Sequence, residues 1–303
     1  MMINRLIFLI LLLFAAPLAA QQSTAVMSSL GYSVIDKQRY QSGYLFNTAG
    51  HPRIHLVTLN WPPYVSEELC NFGWAMELAV TVLTHQGYQV FVEFLPWARA
   101  VSYAETGKAD ILFPEYFIEE SAPSDIYPNL FRRELLALSE AIPGGKVGLF
   151  KRRGEDTRYD GTLMSLKDAQ IGVVRSYQNT PEFDALMDSH YFRKLEVLDD
   201  LQLAHVLAEK RVNLIIGDPT VIHHAIDNAS LPYTEKASLH ESIEFIQPEL
   251  RINDLYFALS KRKPDWHLLM EKINLSLTHL RQHGELQRII DSPAVSCRLS
   301  EGP

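Results

Sequence analysis

Residues 54–59 (IHLVTL), 73–86 (GWAMELAVTVLTHQ), 88–94 (YQVFVEF), 96–106 (PWARAVSYAET) and 109–113 (ADILF) decide the fold. The first alternates as a strand does, the third also reads as a strand, and the fifth as a short buried strand. The second carries Trp74, Leu78 and Val82 at helical spacing, with Met76 and Val80 beside them, and the fourth also reads as helix. Strand, helix, strand, helix, strand in this order implies a parallel sheet covered by helices. Pro114 is expected to end the last strand.

Working outward, the alternation restarts after Pro143-Gly144-Gly145. Strands are expected at 147–150, 169–174, 194–198 and 212–216, and helices at 180–187, 201–210 and 219–227, the last behind Asp218. A second α/β lobe follows from the restart. Farther on, 255–260 reads as a strand and 265–290 as helix, with Leu268, Leu269, Ile273, Leu277 and Leu280 as a stripe. Residues 21–50, rich in Gln, Ser, Tyr and Gly, show little periodicity and are expected to be a loosely attached lead-in. No internal repeat or low-complexity tract is present. The expected division is an export signal at 1–20, a lead-in at 21–50, lobe one at 51–145, lobe two at 146–248, and a return to lobe one at 249–303.

The 303 residues suffice for two lobes of about 150 residues each, and 47% hydrophobic composition supports real cores rather than a disordered or disulfide-dense chain. A net charge of −8 without a dense basic cluster argues against nucleic acid as a partner. Arg5, the apolar run 6–16 and Pro17-Leu18-Ala19-Ala20 read as a cleavable signal peptide, so a periplasmic location is expected. Its removal takes one Arg and leaves the mature chain one unit more acidic. In an oxidising compartment Cys70 and Cys297 are candidates for one disulfide, with two free thiols as the alternative.

Five ordered pieces resemble the extracytoplasmic solute-binding proteins of the amino-acid ABC-transporter type. They are Asn60-Trp61-Pro62-Pro63-Tyr64, Gly73-Trp74-Ala75-Met76-Glu77-Leu78, Gly107-Lys108-Ala109-Asp110-Ile111, Ile171-Gly172-Val173, and Tyr256 to Lys261 with Ile273-Asn274 and Gly284. The resemblance covers about Arg53 to Ile290. It implies the two-lobed type II periplasmic binding fold, each lobe a mostly parallel sheet flanked by helices. Two crossing segments are implied near 141–150 and 246–255, with a ligand cleft between the lobes. It also returns Cys297 to the lobe that holds Cys70, which favours their pairing.

Carried over position by position, the resemblance implies ligand contacts from Trp61 and Tyr64, Glu115 and Phe117, Ser176 and Tyr177, and Asp218. Aromatic rings there suit a flat or cationic ligand; Asp218 equally suits a plain helix N-cap. Amino-acid binders of this family place a Thr-x-x-Arg after the first-lobe strand, and its Arg takes the ligand carboxylate. Counting from Asp110 puts Glu119 and Ala122 at those positions, so the carboxylate clamp is expected to be missing and an ordinary α-amino acid is not the expected ligand. Arg99 and Arg175 are the substitute cations; Arg99 lies with Trp97, a further ligand-binding candidate, in a Trp-x-Arg-Ala segment that resembles one found in divergent members.

Catalytic motifs are absent: there is no G-x-S-x-G, no S-x-x-K, and His240-Glu241 lacks the second His of a zinc-protease helix. His279 and His283 share a helix face without a third ligand, so neither metal nor cofactor is expected. The resulting expectation is a monomeric, non-enzymatic periplasmic binder of a small polar solute, delivering to a membrane permease of an ABC importer. A ligand-sensing partner of a membrane signalling protein and a secreted enzyme reusing the fold are the alternatives.

Overall fold

The computed structural model describes residues 24–27, 34–40 and 42–292; the expected signal at 1–20 and Cys297 lie outside the described residues. Strands β1 (Thr24–Met27), β2 (Val34–Tyr40) and β3 (Gly43–Phe46) form an antiparallel ladder. Next come β4 (Arg53–Thr58), α1 (Trp74–His85), β5 (Gln89–Phe94), α2 (Trp97–Glu105) and β6 (Ile111–Glu115). β4 lies parallel to both β5 and β6, as the crossover helices require. β3 pairs with the outer edge of β5, so the segment read as a loose lead-in extends the sheet. Tyr44 and Phe46, two apart on one face, pack edge-on against Phe72 at 4.8 and 5.8 Å. The alternation was too short to register as periodicity.

Pro114 does not end β6. The antiparallel partner strand shifts register between Tyr256 and Ala258, opposite the proline, and such an irregularity accommodates a residue that cannot donate to the ladder.

A short helix α3 (Arg132–Leu135) and β7 (Leu136–Leu138) lead into β8 (Ile142–Arg152). The second lobe contains β9 (Gln170–Val174), α4 (Pro181–Asp188), β10 (Arg193–Val197), α5 (Asp200–Ala208), β11 (Leu214–Gly217), α6 (Pro219–Asn228), α7 (Tyr233–Ser242) and β12 (Ile243–Phe245). The chain returns through β13 (Arg251–Ser260), α8 (Trp266–Gln282) and α9 (Glu285–Ile290). Helix α7 has no apolar stripe and buries only Leu239, which is why the sequence pattern did not show it. The long C-terminal helix is divided at Gly284, whose φ of 71° is the left-handed geometry that closes a helix.

β8 and β13 pair antiparallel, Asn253 opposite Gly145 and Leu255 opposite Ile142. β13 then pairs with β6 and β7 in the first lobe, while β8 pairs with β11 and β12 in the second. These two strands are the crossing segments. In the second lobe Ile171, Val173, Leu214 and Ile216 pack on one face, while Val174 and Ile215 face Leu203, Leu207, Ile222 and Ile226 on the other. That alternation is the period of two of a sheet covered on both sides. Among the described residues no helix is long and apolar enough to cross a membrane.

Candidate functional site

Every parallel strand of both lobes hands its C-terminal end to one place. Trp61 and Tyr64 follow β4, Trp97 follows β5, Glu115 and Tyr116 end β6, Ser176 and Tyr177 follow β9, Asp200 follows β10, and Asp218 follows β11. Loops at strand C-termini and helix N-termini are where open α/β sheets bind ligands. Trp61 stacks on Tyr64 with ring centroids 4.4 Å apart and meets Tyr116 edge-on at 5.6 Å. Trp97 meets Tyr177 edge-on at 5.9 Å across the cleft.

Hydrogen bonds join the lobes at the same residues. Tyr64 Oη donates to Asp218 Oδ2 at 2.8 Å, and Trp97 Nε1 donates to the Ser176 carbonyl at 3.1 Å. Asn253, on a crossing strand, donates to the Asn179 carbonyl. Gly145 lies against the Tyr64–Asp218 bond, and a side chain there would overlap both oxygens. Asp218 also caps α6, accepting from Thr220 and Val221; the cap and the cleft contact use different oxygens of one carboxyl.

Trp61, Trp97, Glu115, Tyr116, Tyr177 and Gln178 line a small open cavity of about 20 Å³, room for about one water. A solute of several heavy atoms exceeds that space with the lobes placed as they are.

The buried groups in and behind this cavity are acidic and under-solvated: Glu115 lines it, and Asp200 and Asp218 are hydrogen-bonded to Tyr177 and Tyr64 beside it. Glu115 is buried; its Oε1 accepts from the Tyr116 amide at 2.9 Å, while Oε2, Tyr116 Oη and Asp200 Oδ1 are buried without a hydrogen-bond partner. Burial pushes Glu115 up to about 8, with Arg132 pulling the other way, and pushes Asp200 up to about 7 against the hydrogen bond from Tyr177 Oη at 2.9 Å. Burial also raises Asp218, and it raises the hydroxyls of Tyr64, Tyr116 and Tyr177 with acidic neighbours adding to the effect. A desolvated carboxyl in this state gains most from a cation with N–H donors, which satisfies its lone pairs and restores its charge.

Of the residues nominated from sequence, Trp61, Tyr64, Trp97, Glu115, Ser176, Tyr177 and Asp218 come together here. Arg99 is exposed on α2 and does not line this cavity. Phe117 is 43% exposed and rests edge-on against Tyr256. Arg175 is exposed and lines a second, larger cavity of about 290 Å³ beyond Tyr177. Cys70 is exposed in the loop before α1. The described residues include no group of three metal-ligating side chains.

Sequence reading missed Tyr116, Asp200, Asp125 and Arg132. Arg132 matters most, because counting along the chain had put Ala122 at the cation position. Residues 123–131 make a closed excursion: Pro123 and Phe131 bridge antiparallel, and the Arg132 amide donates to the Ala122 carbonyl at 2.8 Å. The chain thus sets Arg132 beside Ala122. Its side chain is 2% exposed, and its guanidinium lies 3.3 Å from Glu105 through Nε, 3.3 Å from Asp125 through Nη2 and 3.1 Å from the Ser176 carbonyl through Nη1. A buried cation therefore stands next to Ala122, with Glu105 and Asp125 as its ionic partners.

No protein-family model and no curated protein matches this chain. Solved structures do. The ligand-binding core of GluR0 from Nostoc punctiforme in complex with L-glutamate is 16% identical, with TM-score 0.57 over 78% of this chain and 97% of that one. An ancestral arginine-binding protein bound to arginine is 16% identical, with TM-score 0.60 over 79% and 96%. A histidine kinase sensor domain with similarity to periplasmic binding proteins is 14% identical, with TM-score 0.62 over 80% and 95%. The substrate-binding protein of an amino acid ABC transporter also matches, at 14% identity and TM-score 0.57 over 79% of this chain and 98% of that one, and the chain has the two-lobed fold that these structures share.

Proposed function

We propose that this chain is an extracytoplasmic solute-binding protein that captures a small cationic amine between its lobes. The observation that carries the proposal is the meeting of an unpartnered buried carboxyl oxygen on Glu115 with the aromatic walls of Trp61, Trp97, Tyr116 and Tyr177, with the buried Asp200 behind them, hydrogen-bonded to Tyr177. Carboxylates supply the charge complement and ring faces supply cation–π attraction of about 0.5–2 kcal/mol each. Ordinary α-amino acids are disfavoured because the buried Arg132 is committed to Glu105 and Asp125.

Thermal unfolding with putrescine, cadaverine and agmatine, against lysine, ornithine and arginine, tests the reading. An amine at a hundred times its Kd should stabilise the protein by about 2.7 kcal/mol, saturably and without being consumed. Stabilisation only by neutral or anionic solutes, or consumption of the amine, overturns it. Trp61→Ala should weaken the amine at least about tenfold by removing the stacked wall, read by calorimetric titration. Arg99→Ala, exposed on α2, should leave the affinity unchanged.

Delivery to a membrane importer is supported by the likeness, at 14% identity, to substrate-binding proteins of amino-acid ABC transporters, and a sensory partner by the likeness to the kinase sensor domain. Cellular uptake of the identified amine, with and without this protein, separates them: the importer reading requires that uptake fall.

A further inference from the structure

Asp125 stands where two donors converge. Its Oδ2 lies 3.3 Å from Arg132 Nη2 and accepts from the Ser176 hydroxyl. Asp125 belongs to the 123–131 excursion of the first lobe, whereas Ser176 belongs to the second. Both donors line the cavity of about 290 Å³ that shares Tyr177 and Gln178 with the amine cavity. The excursion is held in place by Ser124 Oγ, which donates to the buried Glu105 at 2.6 Å. Ser176 itself has φ 69°, a left-handed conformation uncommon for a residue with a Cβ. In that conformation its carbonyl accepts from Trp97 and Arg132 while its hydroxyl reaches Asp125.

A buried guanidinium with one edge beside a half-exposed hydroxyl donor is a receptor for a carboxylate. We infer that Asp125 is a specificity determinant: its carboxylate occupies that receptor from within the chain, so the cleft accepts amines and turns away solutes that also carry a carboxylate. A second carboxylate reaching Arg132 would meet the like charge of Asp125 and find Nη2 and the Ser176 hydroxyl already used. Exclusion by an unfavourable charge is how one pocket separates ligands that share most of their atoms. The inference rests on the cleft being the solute site, but its direct test does not need the solute.

Asp125→Ala frees Arg132 Nη2 and the Ser176 hydroxyl together. Sodium acetate, compared with sodium chloride at equal ionic strength, should then raise the melting temperature of Asp125→Ala saturably and leave the wild type unmoved. In calorimetric titrations the ratio of lysine to cadaverine affinity should rise at least about tenfold in the variant. Asp125→Asn keeps an acceptor for both donors and removes the charge, so it keeps the fold and should raise the ratio by a smaller factor. Asp125→Ala/Ser176→Ala should lose most of the acetate effect. The inference is overturned if acetate does no more than chloride for Asp125→Ala, if acetate stabilises the wild type equally, or if the double variant responds like Asp125→Ala. Acetate rescue without cadaverine binding refutes the amine reading and leaves Asp125 as the internal carboxylate; cadaverine binding without acetate rescue does the reverse.

Discussion

Glu115→Gln lowers the affinity for a cationic amine by about 2–5 kcal/mol, roughly thirtyfold or more, because truncating one member of a buried charge pair leaves the other without its partner. Calorimetric titration at pH 8 measures this. The same substitution changes two pH profiles. Burial raises the Glu115 carboxyl from an ordinary 4.5 to about 8. Below pH 4.5 the folded and unfolded chains both hold the proton. Between 4.5 and 8 the unfolded chain releases it and the folded chain keeps it, so the stability of the empty protein falls as pH rises through this window. Above 8 the loss is complete. Urea unfolding at pH 5 and pH 8 should therefore show a wild-type decline that is shallower in Glu115→Gln, with Asp200, raised to about 7, accounting for part of what remains. Amine binding runs the opposite way. The cation pairs with the ionised carboxyl, so affinity rises with pH up to about 8, and binding releases protons that register as buffer-dependent heats. An affinity flat from pH 6 to 8 in the wild type removes Glu115 from the site.

Arg132→Met destabilises the protein by about 3–5 kcal/mol, the cost of removing one partner of a buried ion pair and leaving the other uncompensated. Glu105 has no exposed side-chain surface, and the carbonyl of Ser176 would lose one of its two donors. Urea unfolding at pH 7 gives the size of the loss. Burial already raises the Glu105 carboxyl above its ordinary range, while Arg132 and the Ser124 hydroxyl pull it down. Without Arg132 it rises further, so the defect should shrink as the solution is acidified enough to protonate Glu105. Arg132→Met/Glu105→Gln should recover much of the loss, since no buried charge is then stranded. Equal defects in the single and double variants show that Arg132 acts through packing instead.

Local pattern made the parallel-strand core legible. The strands at β4, β5, β6, β9, β10 and β11 and the helices between them announce themselves because each buries a face with its own period. The ends of those strands are also where the cleft residues sit, so Trp61, Tyr64, Glu115, Tyr177 and Asp218 could be nominated once the strands were placed. Contacts that depend on loop closure were not legible. Linear counting from Asp110 ended at Ala122, while the antiparallel bridge at Pro123 and Phe131 carries the chain around nine residues to place Arg132 there. Asp125, inside that excursion, has no periodicity to mark it. Asp200 reads as an ordinary acidic residue in the first turn of α5, and only the approach of Tyr177 shows that it faces the cleft. The hairpin of β2 and β3 escaped for a different reason: its stability comes from the edge of β5 and from Phe72.

The sequence by itself determined the alternation of strands and helices, the two lobes and the strand ends that carry the site, because hydrophobic period and turn residues act within a few positions of one another. Tertiary structure decided the charge state and occupancy of that site. Whether Glu115 holds its proton depends on burial from all sides, and whether Arg132 is free depends on Asp125 and Ser176, which approach it from the two lobes. Desolvation and ion pairing depend on distance in space, and the spacing of residues along the chain does not encode that distance.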